Sequence, residues 1–303
     1  MKYLIIGTGG VGGNIAAFLS LIGKDVTCIA RGAHLEAIQT SGLKLHSGLK
    51  GEHSIPIKAY TAEDYSDKAD VIFVCVKGYS LDPSIVRLIK KAAQKETLVI
   101  PLLNAFGMGP KLQPLMPDVT ILDGCIYIVG FIPAPGEVTQ MGKVFRLVFG
   151  AHRDTNVDPL LLKAALKDLQ ESGITAEIST DIRRDTFVKW AYISAMACTG
   201  AYYDVAMKEI QKEGNIRDTF IGLSKESTAL GIKLGIAIEE DLPAYNLKVV
   251  DSLAPETTSS MQKDIARGHT SEIQELLFEM IALAEKHGIE VPMYRKVAEK
   301  FRK

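Results

Sequence analysis

The sequence lacks the features that mark several large classes of protein. Its 35 basic and 36 acidic residues give a formal net charge of −1, which provides no electrostatic attraction for nucleic acid or an anionic membrane. Its six histidines form no H-E-x-x-H or comparable ligand cluster, so we expect no metal site. No C-x-x-C pair is present, and three of the four cysteines lie inside apolar runs. Buried thiols in a reducing compartment are therefore expected, rather than disulfides, at Cys28, Cys75, Cys125 and Cys198.

A long hydrophobic run is also missing. The longest weakly charged stretch is Thr186–Tyr203, which contains a lysine, a glycine and several polar residues and is too short and mixed to span a membrane. We interpret it as a core helix. A strand starts directly at the N-terminus and leaves no room for a signal or transit peptide, which predicts a cytoplasmic protein. The composition, 47% hydrophobic and 23% charged over 303 residues, is typical of a soluble globular chain with two domains.

The stretch Lys2–Gly13 (KYLIIGTGGVGG) has the order strand, glycine turn, helix. Tyr3–Ile6 form a continuous apolar run typical of a parallel strand buried on both faces, and Asn14–Ile22 has the apolar spacing of a helix. Glycines at G-x-G-x-x-G spacing let the backbone approach a pyrophosphate, which the helix N-terminus attracts. The motif alone could be any glycine-rich turn, but the flanking elements favour dinucleotide binding. We expect the cofactor to contact Gly7, Thr8, Gly9, Gly10, Val11 and Gly12.

The end of the second strand indicates which dinucleotide binds. NAD-binding versions of this arrangement place an Asp or Glu there, about 20 residues past the glycines, to hold the ribose 2′-hydroxyl. Here the predicted strand Asp25–Ala30 is followed by Arg31, and the first acid is Glu36. An arginine can pair with a 2′-phosphate and stack on adenine, so we predict NADP, against the alternative of an exposed loop arginine.

Two more buried strands end in polar residues. Asp70–Val76 runs into Lys77, and Thr97–Leu103 ends at Asn104. Ligands bind outside the carboxyl ends of the strands in an open parallel sheet. We therefore expect Lys77 and Asn104 to lie on the same rim as the glycine loop and to contact the cofactor.

The rest of the first half contains shorter elements. Leu43–His46 and Ile55–Lys58 are predicted to form a small hairpin that decorates the domain. Val119–Phe149 is broken by prolines and glycines and is predicted to complete the sheet with mixed or antiparallel strands. A helix over Pro159–Gln170 and a last strand over Ile174–Ile178 follow.

From Asp181 onward the patterns are those of helices only. The sequence therefore predicts an α/β fold, in which a Rossmann-type dinucleotide-binding domain (residues 1–180) precedes an all-helical substrate and catalytic domain (residues 181–303). No repeat or low-complexity linker separates the two.

The helical half has two candidate charged residues. Lys189 is the only charged residue between Asp185 and Asp204, and burial would lower its pKa toward the range useful for proton transfer. A lysine whose stem packs while its head reaches water is an equally favoured alternative. Glu272 falls in the first turn of a long final helix predicted after Gly268, where an acid is common for dipole reasons alone.

Together these features resemble the ketopantoate reductase (2-dehydropantoate 2-reductase) family over essentially the full length of the chain. The resemblance is carried by KYLIIGTGGVGG, Arg31, VCVKGYS around Lys77, LLNAFG around Asn104, the lysine of FVKWA, SSMQKDIARGHTSEI and KHGIEVP. It implies an NADPH-dependent reduction of a 2-oxo acid to a 2-hydroxy acid. It also implies 2-dehydropantoate (ketopantoate) as the substrate, pantoate as the product and pantothenate biosynthesis as the pathway.

The resemblance implies roles for individual residues. Lys189 matches the catalytic lysine that bonds the ketone oxygen and protonates the alkoxide, and Glu272 matches the glutamate that contacts the cofactor ribose and supports the lysine. Ser260 matches a contact to the substrate carboxylate or hydroxyl. Asn104 and Lys77 match residues that line the cofactor and substrate cleft. The implied partner is a small 2-oxo acid, with no nucleic acid and no membrane, and a homodimer is left open.

One departure from the family pattern concerns the substrate. Well-studied members carry asparagines one and two turns after the lysine and another further on, which bond the hydroxyl and carboxylate of ketopantoate. Here those places hold Ile193, Ala197 and Met207, and the neighbouring Ser194 points about 100° away on the helix. Two alternatives stay open: a related reductase with a more apolar substrate, and a non-catalytic NADP-binding sensor. The retained lysine–glutamate pair argues against the sensor.

Overall fold

A computed structural model describes residues 1–153, 155–238 and 241–302 of the chain. It divides into two compact units. The first unit contains Met1–Leu103 and Gly107–Ile182, and the second contains Asn104–Phe106 and Arg183–Lys303. The short segment Asn104–Phe106 therefore belongs with the helical unit, although the strand before it belongs to the first.

The described residues form eleven strands and twelve α-helices. The strands are β1 (Lys2–Ile6), β2 (Asp25–Ile29), β3 (Leu43–Ser47), β4 (Gly51–Ile55), β5 (Lys58–Tyr60), β6 (Val71–Val74), β7 (Leu98–Pro101), β8 (Thr120–Ile121), β9 (Asp123–Phe131), β10 (Glu137–Gly150) and β11 (Thr175–Ile178). The helices are α1 (Gly12–Leu21), α2 (Gly32–Ser41), α3 (Pro83–Ala92), α4 (Met108–Leu112), α5 (Pro159–Glu171), α6 (Ile182–Tyr203), α7 (Met207–Ile210), α8 (Asn215–Lys233), α9 (Leu242–Ser252), α10 (Ser260–Ala266), α11 (Glu279–Lys286) and α12 (Pro292–Glu299). A π-helical segment, Gln274–Phe278, precedes α11.

Six strands of the first unit form a parallel sheet in the order β5-β2-β1-β6-β7-β8. Apart from Lys2 at the start of β1, its central strands β1 and β6 are apolar because both faces are covered: Leu4 and Phe73 are completely buried. The order is that of dinucleotide-binding folds, in which the ligand crevice lies where the strand order reverses, here between β1 and β6. The predicted α/β fold, with a Rossmann-type first half and a helical second half, is confirmed.

The other five strands form a second sheet that the sequence patterns do not reveal. β9 and β10 are a long antiparallel pair, and β10 also pairs in parallel with β3 and β11. The prediction that Val119–Phe149 completes the first sheet is therefore wrong for β9 and β10, and only β8 joins it. The physical reason is an irregularity in β10 between Met141 and Phe145, which lets the two halves of one strand pair with different partners.

The small hairpin is formed by a different pair of strands from the predicted pair. β3 pairs with β4 rather than with Ile55–Lys58, and Lys58–Tyr60 instead extends the parallel sheet beside β2. Four of the five residues of β4 are exposed, so this strand has no apolar alternation to reveal it. The hairpin is also part of the core, since Leu43 and Leu45 are completely buried.

The second unit packs its helices around a core of its own. The stretch interpreted as a core helix lies within α6, and the residue after this helix, Asp204, has the left-handed conformation (φ 55°). The long helix predicted after Gly268 is present as the π-helical segment and α11, but it is not the final helix of the chain. The π-helical segment and α11 end at Lys286, and α12 starts at Pro292, because a left-handed glycine, Gly288, and then a proline interrupt the chain.

Two kinds of feature are absent from the described residues. None of their helices has both the length and the apolar character needed to cross a membrane. In the same residues, no group of three His, Cys, Asp or Glu side chains is placed to hold a metal ion.

Candidate active site

The glycine loop between β1 and α1 is tightly folded. Gly7 has a φ of +94°, and a Cβ at this position would lie 2.9 Å from the backbone nitrogen of Val76. A Cβ at Gly12 would lie 2.2 Å from the Gly7 carbonyl oxygen. Both positions therefore require glycine, one for the turn and the other for the close approach of the helix to it.

Hydrogen bonds attach this loop to the end of β2. The Ile29 carbonyl oxygen accepts from the N–H groups of Gly7 and Thr8, both at 3.2 Å, and from the Thr8 hydroxyl at 3.0 Å. The Thr8 side chain is buried and helps to hold the loop in place. Its expected contact with a cofactor stays a prediction.

Asn14, which the motif analysis does not single out, holds the loop from the opposite side. Its Nδ2 donates to the carbonyl oxygens of Gly10 at 2.6 Å and Thr139 at 3.0 Å. The strand β9 also approaches closely, since a Cβ at Gly10 would lie 2.2 Å from the Gly130 carbonyl oxygen. The only signal in the sequence is a polar residue among the apolar and buried residues of the first two turns of α1.

Arg31 and His34 lie at the start of α2, directly after β2. Arg31 is exposed at the helix N-cap, where its positive charge and the positive end of the helix dipole both favour an anion. His34 Nδ1 accepts a hydrogen bond from the Gly136 N–H at 3.0 Å, and burial lowers the pKa of His34, which favours the neutral ring that can accept. A lone helical histidine carries no sequence signal, so His34 is another residue that the patterns do not reveal.

The residues predicted to form a rim follow neighbouring strands of the parallel sheet. Lys77 is half-buried after β6, at the start of a short 3₁₀ helix, Gly78–Ser80. Since β2, β1 and β6 are adjacent and parallel, Arg31, the glycine loop and Lys77 follow their strands at the same edge of the sheet. Asn104 follows β7, the next parallel strand of this sheet, and its described side-chain hydrogen bonds are made within the second unit.

The second unit contains a buried polar cluster of Lys189, Asn104 and Glu272, which we call the lysine cluster. The Lys189 ammonium donates to Asn104 Oδ1 at 2.9 Å, and Asn104 Nδ2 donates to Glu272 Oε2 at 3.5 Å. Lys189 is 7% exposed and Glu272 is 3% exposed. The asparagine amide thus links a buried cation to a buried carboxylate, which offsets part of the cost of removing each from water.

The lysine cluster has the groups needed to polarise and protonate a carbonyl oxygen. A carbonyl oxygen placed against the Lys189 ammonium would gain both a charge-assisted hydrogen bond and a proton donor. Glu272 supplies the opposite charge in the same cluster. Of the two interpretations open for Lys189, burial among polar partners is the one that the structure supports.

The residues expected around the substrate differ in how exposed they are. Ser260 is exposed as the first residue of α10, and the neighbouring Ser259 forms the capping box with Gln262. Ala197 is completely buried, whereas Ile193 is half-buried. The substrate role of Ser260 stays a prediction. Met207, the third place without an asparagine, is also completely buried.

Comparison with known proteins identifies the family. The model of the family "Ketopantoate reductase PanE/ApbA" matches residues 3–154, and the model of its C-terminal domain matches residues 181–303. The chain belongs to the ketopantoate reductase family. The family and several relatives that are 2-dehydropantoate 2-reductases establish it as an oxidoreductase, as the resemblance implies.

Three similar proteins illustrate the range within and around this family. An uncharacterized oxidoreductase, YkpB of Bacillus subtilis, is 28% identical and covers 98% of this chain and 96% of its own. The 2-dehydropantoate 2-reductase of Mesorhizobium japonicum is 26% identical over 91% of this chain and 89% of its own. A D-mandelate dehydrogenase solved with NADH and anilino(oxo)acetate has the same fold, with a TM-score of 0.88, 22% identity and coverage of 99% and 96%.

Proposed function

We propose that this protein reduces a 2-oxo acid to a 2-hydroxy acid with NADPH, and that ketopantoate is the first substrate to test. The observation that carries the proposal is the lysine cluster, in which a buried ammonium is held by an amide and accompanied by a carboxylate. With ketopantoate as substrate the product is pantoate, and the reaction belongs to pantothenate biosynthesis. We further propose that the protein acts in the cytoplasm.

The first unit has the features that suit a dinucleotide. A Cβ added at Gly9 would meet no protein atom within 4 Å, so the space in front of the loop is open to a ligand. The N-terminus of α1 favours the pyrophosphate there. Arg31 at the N-cap of α2 fits a ribose 2′-phosphate, and no acidic residue directly follows β2 to select the 2′-hydroxyl of NAD. Lys77, at the same edge of the sheet, supplies a further positive charge.

In the proposed reaction each residue of the lysine cluster has a separate task. NADPH, when bound, supplies the hydride that is transferred to the ketone carbon. The Lys189 ammonium donates a hydrogen bond to the ketone oxygen and gives it a proton as the negative charge develops. Asn104 holds the ammonium in position through its Oδ1, and Glu272 balances the charge. Water then returns a proton to Lys189.

A second candidate is a reductase of the same chemistry with a more apolar substrate. Three places where family members carry asparagines hold Ile193, Ala197 and Met207, and apolar side chains cannot bond the hydroxyl of ketopantoate. A site that lacks such hydrogen bonds loses discrimination by orders of magnitude, so an acid with an alkyl or aromatic side chain becomes competitive. The dehydrogenase solved with anilino(oxo)acetate shows that this fold accepts an aromatic oxo acid in another protein.

The experiment measures kcat/KM for ketopantoate and for 2-oxo acids with branched alkyl or phenyl side chains, each with NADPH and with NADH. Loss of the NADPH absorbance band with ketopantoate supports the first candidate. Preference for an apolar acid supports the second, and replacing Ile193 and Ala197 together by asparagine should then raise ketopantoate turnover. Tight NADPH binding without turnover of any acid would favour the sensor. Equal dissociation constants for NADPH and NADH would contradict the role of Arg31.

A further inference from the structure

We propose that Trp190 is a positioning residue for the lysine cluster, an inference that rests on the proposed reductase function. Trp190 is the only tryptophan of the chain and follows Lys189 directly on α6. It is 3% exposed and contacts two segments: one carries Asn104 and the other carries Glu272. We infer that these two contacts set the distances among the ammonium, the amide and the carboxylate.

The first contact holds the Asn104 segment. Phe106, two residues after Asn104, stacks on the Trp190 ring with centroids 5.7 Å apart and an interplanar angle of 20°. Phe106 also meets Phe187 edge-on at 5.1 Å, and Phe187 meets Trp190 at 5.9 Å. The three rings form a closed aromatic group that anchors the loop after β7 to α6. The position of the amide that accepts from Lys189 therefore depends on the Trp190 ring.

The second contact holds the Glu272 segment. The Trp190 indole N–H donates to the Glu275 carbonyl oxygen at 3.0 Å. Glu275 lies in the π-helical segment, and the next residue, Leu276, donates its N–H to the Glu272 carbonyl oxygen at 3.0 Å. A π-helical turn is rare and tends to occur at functional sites. The indole is thus connected to the residue that carries the carboxylate through the backbone of residues 272–276.

Two further donors on α6 support the same π-helical segment. Ser194 and Cys198 follow Trp190 at intervals of four residues, so all three face the same side of α6. Both donate to the Leu276 carbonyl oxygen, the sulfur of Cys198 from 3.8 Å. Trp190 is the member of this row that lies beside Lys189. Among these three donors, Trp190 is therefore the one that can change the geometry of the lysine cluster.

The variant that isolates the second contact is Trp190→Phe, which keeps an aromatic ring and removes the indole N–H. A misplaced carboxylate affects the step in which charge develops, so we expect kcat to fall about tenfold with the KM values unchanged. If Trp190 acts through Glu272, the two substitutions are not independent, and Trp190→Phe has no further effect in a Glu272→Gln background. The control is Phe220→Leu, a buried ring in the same core that has no contact with the cluster among those described. Its effect should multiply with that of Glu272→Gln. Full multiplication of the Trp190→Phe and Glu272→Gln effects would overturn the proposal.

A second measurement needs no activity. The single indole gives one ¹⁵N–¹H resonance, which we expect to shift in Glu272→Gln and to stay in place in Thr199→Val. Thr199 is the control because, among the described residues, its buried hydroxyl donates a hydrogen bond only to the Ala195 carbonyl oxygen within α6, at 2.8 Å. An unmoved resonance in Glu272→Gln would overturn the positioning role. A moved resonance in a protein that reduces no 2-oxo acid would contradict the proposed function and leave the positioning contact standing.

Discussion

Two adjacent glycines of the loop should respond in opposite ways to replacement by alanine. A Cβ at Gly9 would have no protein atom within 4 Å, whereas a Cβ at Gly10 would lie 2.2 Å from the Gly130 carbonyl oxygen and 2.7 Å from the Phe131 nitrogen. Gly9 therefore faces the open space that we assign to the pyrophosphate. Gly10 faces the backbone of β9. One substitution should affect binding, and the other should affect stability.

The expected magnitudes follow from these contacts. Gly9→Ala should leave the free energy of unfolding unchanged or raise it by up to about 1 kcal/mol, because alanine restricts the unfolded chain. A methyl group between the loop and a phosphate removes a charge-assisted hydrogen bond worth roughly 1.5–3 kcal/mol, so the Kd for NADPH should rise roughly 10- to 150-fold. Gly10→Ala forces two backbone segments apart and should lower the free energy of unfolding by about 1–3 kcal/mol.

Two measurements on each variant separate these effects: urea unfolding for stability and a fluorescence titration with NADPH for binding. Each variant is the control for the other, since they differ by one position and make the same chemical change. Wild-type NADPH binding by Gly9→Ala would refute the placement of the pyrophosphate. Wild-type stability of Gly10→Ala would refute the close packing of β9 against the loop.

Substitutions at three other positions test separate parts of the structure. Asn104→Leu removes the acceptor of a buried ammonium, a bond worth roughly 1.5–3 kcal/mol, so kcat/KM should fall roughly 10- to 150-fold; an unchanged kcat/KM would exclude the bridge. Glu137 and Glu52 raise the pKa of His46, so their stabilising effect is present below about pH 6.5 and is lost as the pH rises through the folded pKa. His46→Gln should therefore lower the free energy of unfolding, by less than about 1 kcal/mol, at about pH 6 but not at about pH 9; equal losses at both would contradict the ion pair. Asp204→Gly should raise the free energy of unfolding by up to about 1 kcal/mol, because Asp204 has a φ of 55°, while Asp204→Ala should lower it.

The dinucleotide fold could be predicted because its signals are local. The apolar run of β1, the glycines after it and the helix α1 are consecutive in the chain, and the strands β2, β6 and β7 are short apolar runs of the same kind. A strand that is buried on both faces consists of a continuous apolar run, so each strand can be recognised without knowing its neighbours. Arg31 is informative for the same reason, since its position relative to β2 is read along the chain.

The second sheet could not be predicted because its partners are distant in sequence and weakly patterned. β4 is polar and exposed, and β10 changes partners along its length. Sequence spacing shows neither property.

Only part of the lysine cluster could be predicted from the sequence. Lys189 stands out as a charge in an apolar helix, but Glu272 is an unremarkable acid near a helix start, and only the resemblance to a family singled it out. The bridging role of Asn104 depends on a loop that joins the helical unit, and the contacts of Trp190 depend on a π-helical segment. Neither feature has a sequence pattern that could have predicted it.

The most direct test of the proposed chemistry compares the wild-type protein with Lys189→Met at saturating NADPH, using the acid that the wild type reduces best. A general acid contributes about 10²- to 10⁴-fold, so we expect kcat to fall by that factor while the Kd for NADPH stays within about twofold. Retention of wild-type kcat by Lys189→Met would contradict the assignment of Lys189 as the proton donor.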